Sequence, residues 1–182
     1  MRLLGRKKGK NDNPVTAYVK VVGSDNGACR GTDGKPGCDA NYRLIAQQYE
    51  DGTVSGTFLD VGSFGTGEPY QLEADINCLN FINPTEDGGI AVEFSGPWTK
   101  PGFPTDSGAL DFLLGLDFLG AAKIDKDGNA FYTFDRVRRD DPELCKTTAL
   151  DDVFKDDLFI FTGGLVEIQD DVQSAPWTNK GD

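Results

Sequence analysis

Gln71-Leu72-Glu73-Ala74-Asp75-Ile76-Asn77-Cys78 alternates without exception between polar and apolar side chains. Leu72, Ala74, Ile76 and Cys78 fall on one side, Gln71, Glu73, Asp75 and Asn77 on the other. A period of two marks a strand with one face buried and the other in water, and such half-buried strands belong to antiparallel sheets. Ile90–Gly96 repeats the pattern, with Ile90, Val92 and Phe94 opposite Ala91, Glu93 and Ser95. Working outward, residues 16–22 (TAYVKVV), Asn41–Glu50 (NYRLIAQQYE) and Thr53–Asp60 (TVSGTFLD) read as further strands. Asp51-Gly52 joins the last two as a two-residue hairpin, and Asp127-Gly128 does the same before Asn129–Val137 (NAFYTFDRV).

Helical periodicity is confined to Asp141–Phe154, with Asp140 or Asp141 as cap and Pro142 in the first turn. Leu110–Ile124 carries leucines that suit a buried helix and glycines that suit a bent strand, and is assigned as a loop or helical turn followed by a strand. Leu158–Ile168 is apolar on both faces and bent at Gly163-Gly164, as a closing strand would be. These elements predict an all-β fold: an antiparallel β-barrel or two-sheet sandwich of about eight strands with one short helix. The 12 Phe would fill a barrel, and Gly96–Ser107 (GPWTKPGFPTDS) would loop over one end.

One domain accounts for the 182 residues. The expected organisation is a basic N-terminal arm over 1–14, a single β-domain over 15–170 and a C-terminal tail over 171–182. Five of the 18 Lys and Arg (Arg2, Arg6, Lys7, Lys8, Lys10) fall in the first ten residues, which hold none of the 30 acids. Arm and body therefore have opposite signs. The arm is either a docking element for an acidic surface or a remnant left when a leader is removed. The net charge of −12 argues against nucleic acid, which needs a basic face to release counterions. No apolar run reaches the ~20 residues a transmembrane helix requires.

The chain has no histidine. That excludes Ser-His-Asp and Cys-His nucleophile activation and histidine-bound zinc or haem. Cys29, Cys38, Cys78 and Cys145 lack the C-x2-C spacing of structural zinc. Cys29 and Cys38 bracket the open stretch RGTDGKPG, where a local disulfide would restrict the chain, leaving Cys78 and Cys145 as the second pair. Four cysteines admit three connectivities, and spacing alone does not choose among them. An even count predicts secretion or an oxidising lumen, the alternative being four reduced thiols in a cytosolic or stromal protein.

The run of DGTVSG (Asp51–Gly56), ADINCLNFI (Ala74–Ile82), GGIAVEFSG (Gly88–Gly96), Cys145 and FTGGLVEI (Phe161–Ile168) resembles secreted β-rich domains of bacterial and microalgal proteins. The resemblance spans about residues 16–169. It implies a β-barrel-like fold with an export history and carries no established activity. In fold alone the chain is also similar to lipocalin-like and allene-oxide-cyclase-like barrels, whose signatures are absent, so neither supplies site residues.

Asp125-x-Asp127-Gly128-Asn129 opens like a calcium loop, yet Arg136 stands where the twelfth-position glutamate belongs. A hairpin turn explains the same residues, with calcium as the alternative cofactor. Asp151, Asp152, Asp156 and Asp157 form an acidic run that reads as a solvated face or a site for a cation or basic partner. Glu73, Asp75 and Glu93 are candidate carboxylates for glycoside hydrolysis or a lyase, since such chemistry needs no histidine. Trp98 and Trp177 lie in GPWTKPG and APWTNKG and are candidate stacking platforms or rim-packing residues, with Tyr70, Phe103 and Phe112 beside the same mouth. The reading these features favour is a non-enzymatic, exported β-domain that binds a protein partner or assembles with itself. The alternatives are a small-ligand or sugar binder in the barrel mouth and a carboxylate-dependent enzyme.

Overall fold

The computed structural model describes residues 13–26, 38–64, 69–102, 114–139, 141–150, 159–160 and 164–171. Ten strands are formed: β1 (Val15–Asn26), β2 (Cys38–Tyr49), β3 (Val54–Phe64), β4 (Pro69–Ile76), β5 (Cys78–Ile82), β6 (Ile90–Gly102), β7 (Asp117–Ile124), β8 (Ala130–Arg139), β9 (Phe159–Ile160) and β10 (Gly164–Gln169). Every ladder is antiparallel, in the order β10-β1-β2-β3-β4-β6-β7-β8-β9, with β5 also on β6. β4 and β5 pair successive parts of β6 and act as one bent strand. β9 pairs β8 at one end of the sheet while β10, three residues further on, pairs β1 at the other. The two ends of the sheet are thus joined into a nearly closed eight-stranded barrel. That is the closing role expected of Leu158–Ile168, whose residues 158 and 161–163 lie outside the described set.

Both Asp-Gly hairpins form as read. Gly52 and Gly128 take φ of +82° and +85°, the left-handed conformation that glycine adopts without a Cβ clash. Asp51 Oδ1 accepts from Thr53 N at 2.9 Å.

Three sequence readings are corrected. First, alternation does not run unbroken through Cys78. Asn77 stands between β4 and β5 and reverses the phase, so Ile76 and Leu79 face the interior while Cys78 faces out. The break needs Gly96, because a Cβ there would lie 1.9 Å from the Asp75 carbonyl oxygen. Second, Gly96–Gly102 is not a loop: β6 runs on through Pro97, Trp98 and Pro101. A register shift between Glu73 and Ala74 leaves Thr99 as the extra residue of β6 in the β4–β6 ladder. Third, the helix expected over 141–154 is interrupted: α1 (Leu144–Thr147) ends at an extended Thr148, Leu150 is helical again, and 151–154 lie outside the described residues. The hydroxyls of Thr147 and Thr148 turn back onto the Leu144 carbonyl at 3.3 and 3.1 Å, competing with continued helix.

One core fills the barrel. Tyr42, Leu44, Phe58, Leu72, Ile76, Phe94, Trp98, Phe118 and Tyr132 are all buried within it, contributed by strands around the ring. Phe118 meets Trp98, Phe58 and Phe94 at ring-centroid distances of 4.8, 5.2 and 6.1 Å. A smaller outer layer forms where α1 covers β5–β7: Cys78, Leu119, Ala121, Leu144 and Cys145, with Leu150 against them. The Cys78–Cys145 disulfide is formed and holds α1 to the barrel wall. Cys145 N also donates to Ser95 Oγ at 3.2 Å. Among the described residues no helix is long and apolar enough to cross a membrane.

Candidate functional site

The outer face of β2, β3 and β4 carries an open groove of about 520 Å³. Its shape follows from side-chain size. Ser55 and Thr57 on β3 are short and form the floor with Ile45 and Leu59; longer side chains on β2 (Arg43, Gln47, Tyr49) and β4 (Gln71, Glu73, Asp75) make the walls. Strand register aligns them in rows, Ile45-Thr57-Asp75 and Arg43-Leu59-Glu73. Gln71 donates to Glu73, and Lys100 of β6 approaches Glu73 at 3.4 Å. Tyr49 donates to Gln47 at 3.3 Å.

The groove continues onto an exposed apolar surface. Val22 of β1 and Leu165 of β10 are directly paired and 39% and 41% exposed, and Val22 also pairs Arg43. Val61 of β3, exposed to 37%, lies on the same outer face two strands from Val22, with Asn41 as its partner on β2. Of the four exposed large hydrophobics among the described residues, three therefore share one sheet face, and the fourth is Leu114.

Of the candidate carboxylates, Glu73 and Asp75 meet in this groove and Glu93 does not. Glu73 pairs Lys100, while Glu93 lies seven residues further along β6 beside Asn80, roughly 23 Å away at strand rise. The alternation of Ile90–Gly96 predicts Glu93 on a solvated face, but it is buried, 1% exposed. Asn80 Nδ2 donates to its Oε2 at 2.6 Å, while Oε1 finds no donor among the described residues. Burial pushes the Glu93 carboxyl above its ordinary value, and the Asn80 hydrogen bond offsets part of the rise.

Trp98 is not a stacking platform. It is 1% exposed inside the barrel, packed on Phe118 and Phe58. Tyr70 is likewise buried and donates to Asp60 at 3.1 Å. Asp125 acts as a turn residue: Oδ1 accepts from the backbone of Asp127 and Asn129 at 2.9 and 2.8 Å, and Oδ2 from the Asn129 amide at 2.9 Å. Those hydrogen bonds hold its carboxyl below the usual range, the Asn129 amide contributing most. Among the described residues no three acidic or cysteine side chains converge as a metal site. Cys29, Phe103, Phe112, Trp177 and the acidic run Asp151, Asp152, Asp156 and Asp157 lie outside the described residues, as do 1–12 of the basic arm and 172–182 of the tail.

Sequence reading missed Arg43, Gln47, Tyr49, Gln71 and Thr99 as groove residues. Alternation in NYRLIAQQYE does point the first three outward, but no local signal reveals that short residues on β3 leave a depression between β2 and β4.

No protein-family model, curated protein or solved structure matches the chain. The fold and site define a class by geometry alone: a nearly closed antiparallel barrel with a packed interior and an open groove on its wall.

Proposed function

We propose that the protein is a non-enzymatic, exported β-domain that acts by protein–protein contact through the outer face of β10, β1, β2 and β3. The carrying observation is the union of a filled interior with exposed Val22, Leu165 and Val61 beside the groove. Aromatic rings meeting at 4.8–5.2 Å across the barrel occupy the space where a lipocalin-like ligand would sit. Apolar side chains grouped on one face and rimmed by polar ones mark an interaction surface. Glu73 is held by Gln71 and Lys100 and Asp75 is exposed, an arrangement that supports recognition better than hydrolysis. The Cys78–Cys145 bridge favours an oxidising compartment, in line with the resemblance to secreted β-rich domains.

The test is affinity capture from the native source by the immobilised protein and by a Val22→Glu/Leu165→Glu variant, with circular dichroism to verify folding. Polypeptides retained by the wild type and lost by the folded variant are expected. Identical retention by both proteins, or retention of small molecules or glycans alone, would overturn the reading.

A further inference from the structure

We infer that the groove on β2–β4 binds a neutral oligosaccharide. This goes beyond the contact reading and does not rest on it, because Val22, Leu165 and Val61 take no part. The groups that each wall leaves open carry the argument. On the β2 wall, Gln47 Oε1 already accepts from the Tyr49 hydroxyl at 3.3 Å, so its amide N–H groups remain, beside the five N–H donors of Arg43. On the β4 wall, Gln71 Nε2 donates to Glu73 Oε1, which Lys100 Nζ also approaches at 3.4 Å. What remains there is Glu73 Oε2, Gln71 Oε1 and both carboxylate oxygens of Asp75. Arg43 and Asp75 are exposed and have no side-chain partner among the described residues. One wall therefore mainly donates and the other mainly accepts.

A ligand lying between these walls must accept on one side and donate on the other. A carboxylate or phosphate only accepts and would face Asp75 and Glu73, while an ammonium only donates and would face Arg43. The edge of an extended peptide alternates N–H and C=O, so half of its groups would meet their own kind. A hydroxyl both donates and accepts, and rotates to suit either wall. Charge agrees with this choice: Arg43 and Lys100 balance Glu73 and Asp75, leaving the groove neutral on a chain of net charge −12. Half-buried Ile45 and Leu59 give the floor an apolar surface for the C–H face of a sugar ring, with the Ser55 and Thr57 hydroxyls alongside and the Tyr49 ring at one end. From Ser55 to Leu59 the floor runs four residues, roughly 13 Å, and the walls stand two strand spacings apart, roughly 10 Å, which gives room for more than one ring in a row.

Amide NMR titration of the full chain with tetrasaccharides tests this. The neutral probes are cellotetraose, laminaritetraose, maltotetraose and chitotetraose, and the acidic probe is the galacturonic acid tetramer. At least one neutral probe is expected to shift the amides of 43–49, 55–59 and 71–75 saturably, with an affinity that high salt leaves unchanged and that its monosaccharide does not reach. Arg43→Ala and Asp75→Ala, each with an otherwise unaltered spectrum, are expected to weaken that binding by at least about tenfold, the loss of one charge-assisted hydrogen bond. Leu165→Glu, which strikes the contact face instead, is expected to leave it unchanged, so failure of the contact reading and failure of this one are told apart. No shift with any neutral probe, shifts confined to other strands, tighter binding of the galacturonate, or binding unchanged in both folded groove variants would overturn the assignment.

Discussion

Tyr42 of β2 and Tyr132 of β8 meet edge to face with ring centroids 4.9 Å apart, although four strands separate them in the sheet order. An open sheet would hold those strands far apart, so the contact records curvature around a single core. Closure also leaves the wall, rather than the interior, as the surface available for recognition.

Phe118 sits at the centre of that core, fully buried among Trp98, Phe58 and Phe94. Phe118→Ala is expected to cost about 3–5 kcal/mol in chemical denaturation, from lost burial and the cavity left behind. Val61→Ala, on the exposed face, should change stability by less than about 0.5 kcal/mol.

Gly96→Ala probes the phase reversal at Asn77. Its Cβ would fall 1.9 Å from the Asp75 carbonyl and 3.2 Å from Asn77 N, backbone atoms that cannot swing aside. A loss of about 3 kcal/mol is expected, measured as a shift in denaturation midpoint. An unchanged midpoint would mean that the β4–β5 break does not depend on this close approach.

The Cys78–Cys145 disulfide closes a separation of 67 residues and fastens α1 to the barrel wall, where Cys145 N donates to Ser95 Oγ. Replacing both cysteines by serine is expected to destabilise the fold by about 2–4 kcal/mol. Proteolytic sensitivity should rise first around α1, because the barrel ladders do not depend on the bridge.

Two carboxyls give opposite pH signatures. Glu93 has a raised folded-state pKa, so the folded chain holds its proton longer than the unfolded chain, and stability falls as pH climbs from the ordinary carboxylate value through the raised one. Glu93→Gln keeps an acceptor for Asn80 and should gain stability relative to wild type across that rise. Asp87 behaves inversely: hydrogen bonding from Lys123 first, then from Thr85, lowers its carboxyl to about 2. Its contribution is present above the ordinary value of 3.8 and is lost as pH falls toward 2. Asp87→Asn should flatten that acid limb in urea titrations between pH 2 and 4.

Much of the fold was legible because period-two alternation and Asp-Gly turns are local signals. TAYVKVV, NYRLIAQQYE and GGIAVEFSG each became the strand their pattern dictated. What escaped were features set by distant contacts. Asn77 reverses phase because Gly96, nineteen residues later, admits the Asp75 carbonyl. Trp98 lies in a proline-rich stretch that reads as loop, yet ladder pairing with Ala74 and packing on Phe118 draw it inside. Glu93 carries the alternation of a wet face, yet it is buried, as is Ser95, which the disulfide-held α1 contacts. The groove was half legible: Glu73 and Asp75 were singled out as outward carboxylates, while the depression between β2 and β4 depends on strand register.

The central claim is that this barrel works from its outside, with a packed interior, by contacting another polypeptide. Native mass spectrometry of the protein purified from its source without reductant tests it most directly. The expected spectrum shows the disulfide-bonded chain with a bound polypeptide, a second copy or a different protein, and no small-molecule adduct. A monomer with free thiols that carries a small-molecule adduct would contradict the account.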